Sequence, residues 1–196
     1  MTESYFNRLA AEGYNRIPVT LETFADLDTP LSIYLKLANG PYTYLLESVQ
    51  GGERFGRYSI IGLASPTRLV VNAHQVLVLT GDRIAEREDD TNPLDFIGKF
   101  MKRFRAAPAP GLPRFCGGLV GCFGYDTVRY VETRLTRTRK ADELGTPDIV
   151  LLLSEEIAVV DNLTGKLMGV PFRRGVRDGL KALRSRRRNP NPEASA

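Results

Sequence analysis

Apolar positions along the chain fall into short blocks whose spacing changes several times. Phe6, Leu9 and Ala10 recur at helical steps and Gly13 follows as a stop, which predicts a short opening helix. RIPVTLETF then reads as extended. Thr29-Pro30 supplies an N-cap and a first-turn proline for a helix with Leu31, Tyr34, Leu35 and Ala38 inward, closed by Asn39-Gly40. From Tyr42 to Thr80 the segments YTYLLES, RYSIIGL, TRLVVNA and QVLVLT are β-branched or aromatic, separated by turn residues, and predict a meander of strands. Asn92-Pro93 opens an amphipathic helix with Leu94, Ile97, Met101 and Phe104 on one side and Lys99, Lys102, Arg103 and Arg105 on the other, ended by AAPAPGLP.

In the glycine-rich FCGGLVGCFGYD the glycines mark bulges or let another backbone or a ligand come close, which predicts a tightly packed strand. DIVLLLS and IAVVDN are two further strands, the second leading into a four-residue turn at Asn162-Leu163-Thr164-Gly165. Strands adjacent in sequence, mixed irregularly with helices, predict an α+β fold with an antiparallel sheet and packed helices rather than a βαβ repeat.

Composition alters this picture in three places. The net charge of +4 is carried by the last 26 residues, where eight Arg and Lys side chains face only Asp178 and Glu193, so residues 1–170 are slightly acidic. The domain is therefore expected over residues 1–170, with 171–196 a basic, disordered tail. Charge alone, in RSRRR, gives no base-reading element, and nucleic acid is not an expected partner. No apolar run is long enough to cross a bilayer, and the opening is polar, so no membrane association and a cytoplasmic location are expected. Cys116 and Cys122 are about 20 Å apart if the segment is one strand, which predicts free, buried thiols. With His74 the single histidine, expected in an exposed turn, no metal cluster forms.

Conventional catalytic constellations are missing from the sequence, and no catalytic residue is assigned. There is no Gly-x-Ser-x-Gly elbow, and Gly51-Gly52-Glu53-Arg54-Phe55-Gly56 lacks the Lys-hydroxyl pair of a P-loop. Adjacent Glu155 and Glu156 point to opposite faces of a strand and cannot flank one substrate. The run Glu88-Asp89-Asp90 reads as solvated surface. YLLESVQGGERFGRYSIIGL (residues 44–63) is the most informative stretch. A strand ends in Glu47-Ser48, a glycine-rich loop follows, and a return strand starts Arg57-Tyr58-Ser59. Carboxylate, hydroxyl and guanidinium at one end of a strand pair suit a zwitterionic amino acid, or equally a hairpin whose charges face water.

Resemblance separates those readings. LLES followed by GRYS and Ile-Gly, GLPRFCGGLVGCFGYD with Arg129-Tyr130 behind it, PDIVLLLSEEIAVVDNLTGKL and the opening YNRIPVTLETFADLDTPLSIYLKLA resemble, in family order, the N-terminal region of bacterial anthranilate synthase component I. The resemblance covers about residues 5–168. It implies an enzyme that converts chorismate and ammonia to anthranilate and pyruvate with Mg²⁺, the ammonia coming from a glutamine amidotransferase partner. It also implies L-tryptophan bound in this region as feedback inhibitor, with Ser48 as ligand contact, Leu46 and Glu47 flanking, and Arg57, Tyr58 and Ser59 on the return strand. The family's C-terminal chorismate-binding domain, with its Mg²⁺ ligands, has no counterpart here, so no cofactor is assigned to this chain and the chain alone is expected to be inactive. Cys122 stands where the family has an aromatic residue. Aminodeoxychorismate synthase component I, which shares the fold, and a stand-alone tryptophan-binding module are the alternatives.

Overall fold

A computed structural model describes residues 1–25, 27–38, 40–47, 56–132, 134–135 and 143–173. The chain divides into two units: Met1–Ser65 with Phe104–Gly117 and Ser154–Ala196, and Pro66–Arg103 with Gly118–Leu153. Both are built on antiparallel sheets, as the strand-rich, irregular pattern predicts.

The first unit opens with α1 (Glu3–Ala11), capped by the Thr2 side chain, which accepts from the Tyr5 amide. Its Phe6 and Leu9 pack with Ile17, Val19 and Ala107 in a small core. The strands β1 (Ile17–Pro18) and β2 (Leu21–Phe24) run along one edge of β11 (Lys166–Arg173) in a single register, bridged by a Val19 N–H to Pro171 carbonyl bond of 3.0 Å. They are one extended edge segment, as RIPVTLETF predicts, with Pro18 tolerated because the strand lies at the margin of the sheet. From β11 the sheet continues through β10 (Glu156–Asp161) and β4 (Tyr58–Gly62) to β3 (Tyr44–Leu46). One face carries Ile61, Ala158 and Val160 beneath Ile33 and Ala38 of α2 (Pro30–Leu37) and its border; the other carries Ile157, Val159, Met168 and Val170 with Tyr58, Ile60, Leu112 and Cys116.

α2 starts where predicted, with Thr29 and Ser32 forming a reciprocal capping box. Its buried face differs from the expected one. Ile33 and Ala38 are inward and Tyr34 and Leu37 half-buried, while Leu31 and Leu35 are 55% and 54% exposed. PLSIYLKL is apolar nearly all round, so two stripes satisfy helical spacing and only the sheet beneath selects between them.

In the second unit β5 (Thr67–Asn72) lies between β6 (Gln75–Thr80) and β9 (Ile149–Ser154), with β7 (Arg83–Glu88) and β8 (Gly118–Phe123) at the two edges. Leu69, Val71, Val76 and Val78 alternate inward. Against β6 lies α3 (Pro93–Met101), whose inward residues are Phe96 and Phe100, rings 6.4 Å apart, rather than the expected Leu94, Ile97 and Met101. The helix also ends before Phe104. That ring lies in the first unit, beneath the buried Arg16 guanidinium at 4.5 Å, where Arg16 is also paired with Glu155 at 2.6 Å. β7 has no apolar alternation for the sequence to reveal; its charges face water, with Glu86 paired to Arg103.

Both cysteines are free. Cys116 is half-buried and donates to the Pro113 carbonyl, and burial pushes its thiol pKa up. Cys122 is exposed, not buried, because β8 is an edge strand. The expected close approach at β8 is present: a Cβ on Gly121 would stand 1.9 Å from the Val150 carbonyl oxygen. β11 runs to Arg173, past the boundary at 170, with Pro171 held by Val19. The rest of the expected tail, 174–196, lies outside the described residues.

Two glycines give opposite expectations. Gly121→Ala forces backbone to move and should destabilise by about 1–3 kcal/mol, whereas Gly98→Ala, on α3 with nothing within 4 Å of an added Cβ, should stabilise by about 0.5–1 kcal/mol. Chemical denaturation of the two variants, with exchange protection of β9 amides, checks both signs.

Candidate functional site

The antiparallel pairing of Leu46 with Ile60 and Tyr44 with Gly62 puts the end of β3 and the start of β4 at one end of a strand pair. Glu47 and Arg57 therefore belong to the same end. Ser48, the residue singled out as a ligand contact, lies outside the described residues, as does the loop through residue 55. Glu47 and Leu46 are exposed.

The return-strand residues separate by face. Tyr58 shares a face with Leu46 and packs on the Ile157–Val159 core. Ser59 points to the other side, is 1% exposed, and accepts a hydrogen bond from Asn162 Nδ2 at 3.0 Å. The five described candidates thus share a strand end but not one cluster: Leu46 and Tyr58 on one face, Ser59 on the other, Glu47 and Arg57 at the margin.

Arg57 is held firmly. Its Nη2 donates to Asp161 Oδ2 at 2.8 Å and its Nε lies 3.2 Å from Oδ1, a two-pronged pair, while its guanidinium carbon lies 4.9 Å from the Tyr58 ring centre. Asp161 is 4% exposed and ends β10. Arg57 beside it holds its carboxyl below the usual carboxylate range, opposed by burial and helped by Thr164 and the Leu163 amide. Asp161 also closes the β10–β11 turn: Oδ1 accepts from Leu163 N–H at 3.1 Å and its carbonyl from Gly165 N–H at 2.9 Å. Asn162 adds a bond from its amide N–H to the Arg57 carbonyl at 2.8 Å and one from Nδ2 to the Gly56 carbonyl at 3.2 Å.

A second anchor lies at the other end of the pair. The Tyr44 ring occupies the space a Cβ on Gly62 would need, and its hydroxyl lies 2.6 Å from Ser154 Oγ. Burial pushes the Tyr44 hydroxyl pKa up, keeping it neutral. Sequence reasoning found neither anchor. Asp161 read as the end of a strand, Asn162 as the first turn residue, and Tyr44, Gly62 and Ser154 as strand filler; an aspartate ending an apolar strand was the one signal present.

Elsewhere the structure assigns plain roles to residues weighed as sites. His74 is exposed in the β5–β6 turn, its Nδ1 3.3 Å from the Thr91 carbonyl. Glu155 is held by Arg16, while Glu156 pairs across the sheet with Pro171. Among the described residues no group of three or more His, Cys, Asp or Glu is placed to hold a metal ion, and no helix is long and apolar enough to cross a membrane.

The depressed Asp161 pKa sets a pH expectation. Because the folded value lies below the unfolded one, the stabilisation is fully present above about pH 4 and is lost as pH falls through the folded value. Denaturant midpoints measured at acid and neutral pH should show wild type losing more stability on acidification than Asp161→Asn; equal losses would contradict the pairing.

No protein-family model matches the chain. The chain is 56% identical over 170 residues to anthranilate synthase component 1 of Pseudomonas aeruginosa, covering 87% of this chain and 35% of that protein. The component 1 of Neisseria meningitidis serogroup C is 57% identical over 170 residues (85% and 34%), and that of Acinetobacter calcoaceticus 42% over 165 residues (83% and 33%). A crystal structure of anthranilate synthase component I from Streptococcus pneumoniae TIGR4 aligns with TM-score 0.49 and 22% identity, covering 87% of this chain and 37% of that one. Over most of its own length, and spanning about a third of theirs, this chain belongs with the anthranilate synthase component 1 sequences.

Proposed function

We propose that the chain is the N-terminal, tryptophan-binding part of anthranilate synthase component 1, the part through which L-tryptophan inhibits conversion of chorismate and ammonia to anthranilate and pyruvate. The observation that carries this is 56% identity across 87% of the chain, including the strand pair that brings Glu47 and Arg57 to one end. In this reading Ser48 contacts the ligand, Glu47 and Leu46 flank it, and Arg57, Tyr58 and Ser59 build the return-strand side.

Chorismate chemistry and the Mg²⁺ that assists it belong to the two-thirds of the relatives' length without a counterpart here. The described residues supply no matching donor set for the ion, and no step is assigned to it in this chain. A glutamine amidotransferase component that delivers ammonia is the proposed partner of the whole enzyme, and the cytoplasm its proposed location. The same amino-acid site without catalysis would make the chain a stand-alone tryptophan-binding module.

Two outcomes are expected of the purified chain. It yields no anthranilate from chorismate with ammonia and Mg²⁺; turnover would overturn the division of labour. It binds L-tryptophan in calorimetric titration, and Ser48→Ala weakens binding by about ten- to a hundredfold, as loss of one hydroxyl contact to a charged ligand implies. Unchanged affinity in Ser48→Ala would remove Ser48 from the site.

A further inference from the structure

We propose that Asp161 and Asn162, at the β10–β11 turn, are positioning residues for the amino-acid site, and that Arg57 serves the site as the part they hold rather than as a contact to the ligand's carboxylate. The proposal rests on the tryptophan-binding reading above.

Two adjacent residues at the turn engage three residues at the start of the return strand. Asn162 binds the carbonyls of Gly56 and Arg57 and the hydroxyl of Ser59, and Asp161 binds the Arg57 guanidinium. The β4–β10 ladder ends at the Tyr58–Asp161 pair. Beyond it, one further backbone bond, from the Asn162 N–H to the Arg57 carbonyl, is supplemented by the Asn162 and Asp161 side chains. The Asp161 carboxylate is committed to three partners: Arg57, the Thr164 side chain and the Leu163 amide that shapes its own turn. Rotation of Arg57 toward a ligand would therefore leave a buried carboxylate short of its cation, an expensive state. Arg57 and the turn move together or not at all.

The geometry also limits what Arg57 offers. Its Nε and Nη2 edge, the fork that suits a carboxylate, is already filled by one at 2.8 Å. A second carboxylate would meet a guanidinium whose charge is balanced at contact distance. The α-carboxylate of an amino-acid ligand is then left to other donors at the strand end, and the energetic role of Arg57 is to fix where the return strand begins.

The test uses the 196-residue chain and L-tryptophan. The chain has no tryptophan, so with excitation to the red of tyrosine absorption the ligand's own fluorescence reports binding. Asp161→Asn keeps an acceptor for Leu163 but turns a donor toward Arg57; Asn162→Ala removes both side-chain bonds. Each should weaken binding by roughly tenfold, at temperatures where circular dichroism shows the variant folded. Adding Asp161→Asn to Arg57→Ala should cost nothing further, because Asp161 acts through Arg57. Arg57→Ala should weaken L-tryptophan and L-tryptophanamide by the same factor. An Arg57 effect confined to the carboxylate-bearing ligand would overturn the proposal, as would wild-type affinity in both turn variants.

Hydrogen exchange separates this from failure of the ligand reading. If the unaltered chain binds no tryptophan, that reading falls, and the latch is judged on exchange alone. Faster exchange at the Ser59, Ile60 and Asn162 amides of the turn variants, with β5 and β9 amides unchanged, supports it; unchanged exchange at those three amides overturns it.

Discussion

Burial of β10 on both faces is the constraint from which the first unit follows. Ile157 to Val160 are all nearly inaccessible, with Ile157 and Val159 facing one core and Ala158 and Val160 the other. Such a strand gains much from burial but little in register, because a slip by one residue exchanges one apolar face for another. What pins it is polar. Asp161 ends the strand, closes its turn and accepts Arg57, and none of these bonds survives a shift by one position. The apolar run provides stability, and one carboxylate provides the alignment that puts β4, and with it β3, where they are.

The second unit solves the same problem with the same residue type. β9 is apolar and buried along most of its length, and Asp148 stands just before it. The Asp148 amide donates to the Val71 carbonyl at 2.8 Å, its carbonyl accepts from Gly124 at 2.7 Å, and Oδ2 accepts from the Ala73 amide at 2.7 Å. The Tyr130 hydroxyl lies 2.6 Å from the same Oδ2. Ala73 sits at φ 50°, a left-handed conformation that costs an alanine energy and is stabilised here by the aspartate. Gly124 fits closely beside it, since a Cβ there would lie 3.0 Å from the Asp148 carbonyl oxygen. In each unit, then, an aspartate at the end of an apolar strand converts non-specific burial into a particular pairing.

These features explain what the sequence could and could not disclose. Capping residues at Thr29 and Asn92, the alternation in β5 and β6, the extended edge from Ile17 to Phe24 and the turn before Lys166 all have local causes, and all were legible. The inward faces of α2 and α3 were not, because each helix carries more than one apolar stripe and the choice lies with a sheet elsewhere in the chain. β7 was invisible because an exposed edge strand of charges has no alternation to read. In residues 44–63 the strand pair was legible and the partners of its side chains were not. A carboxylate, a hydroxyl and a guanidinium at one strand end are evident in residues 44–63; that the guanidinium is paired to a residue 104 positions away is not.

That distance bears on how a motif is read. Residues that recur together in a ligand-binding segment include those that touch the ligand and those that hold the backbone in place, and the string of letters does not distinguish them. Electrostatics does. A group meant to recognise a charged ligand keeps unbalanced charge near its surface, whereas a scaffold group has its charge met within the protein. Arg57 meets the second description through Asp161, and Ser59 does so as a neutral counterpart, buried and holding Asn162. Glu47, by contrast, is exposed at the end of β3, free of the burial that commits Asp161. On the tryptophan-binding reading proposed above, selectivity is expected to come from the β3 side, with the β4 side as a fixed wall.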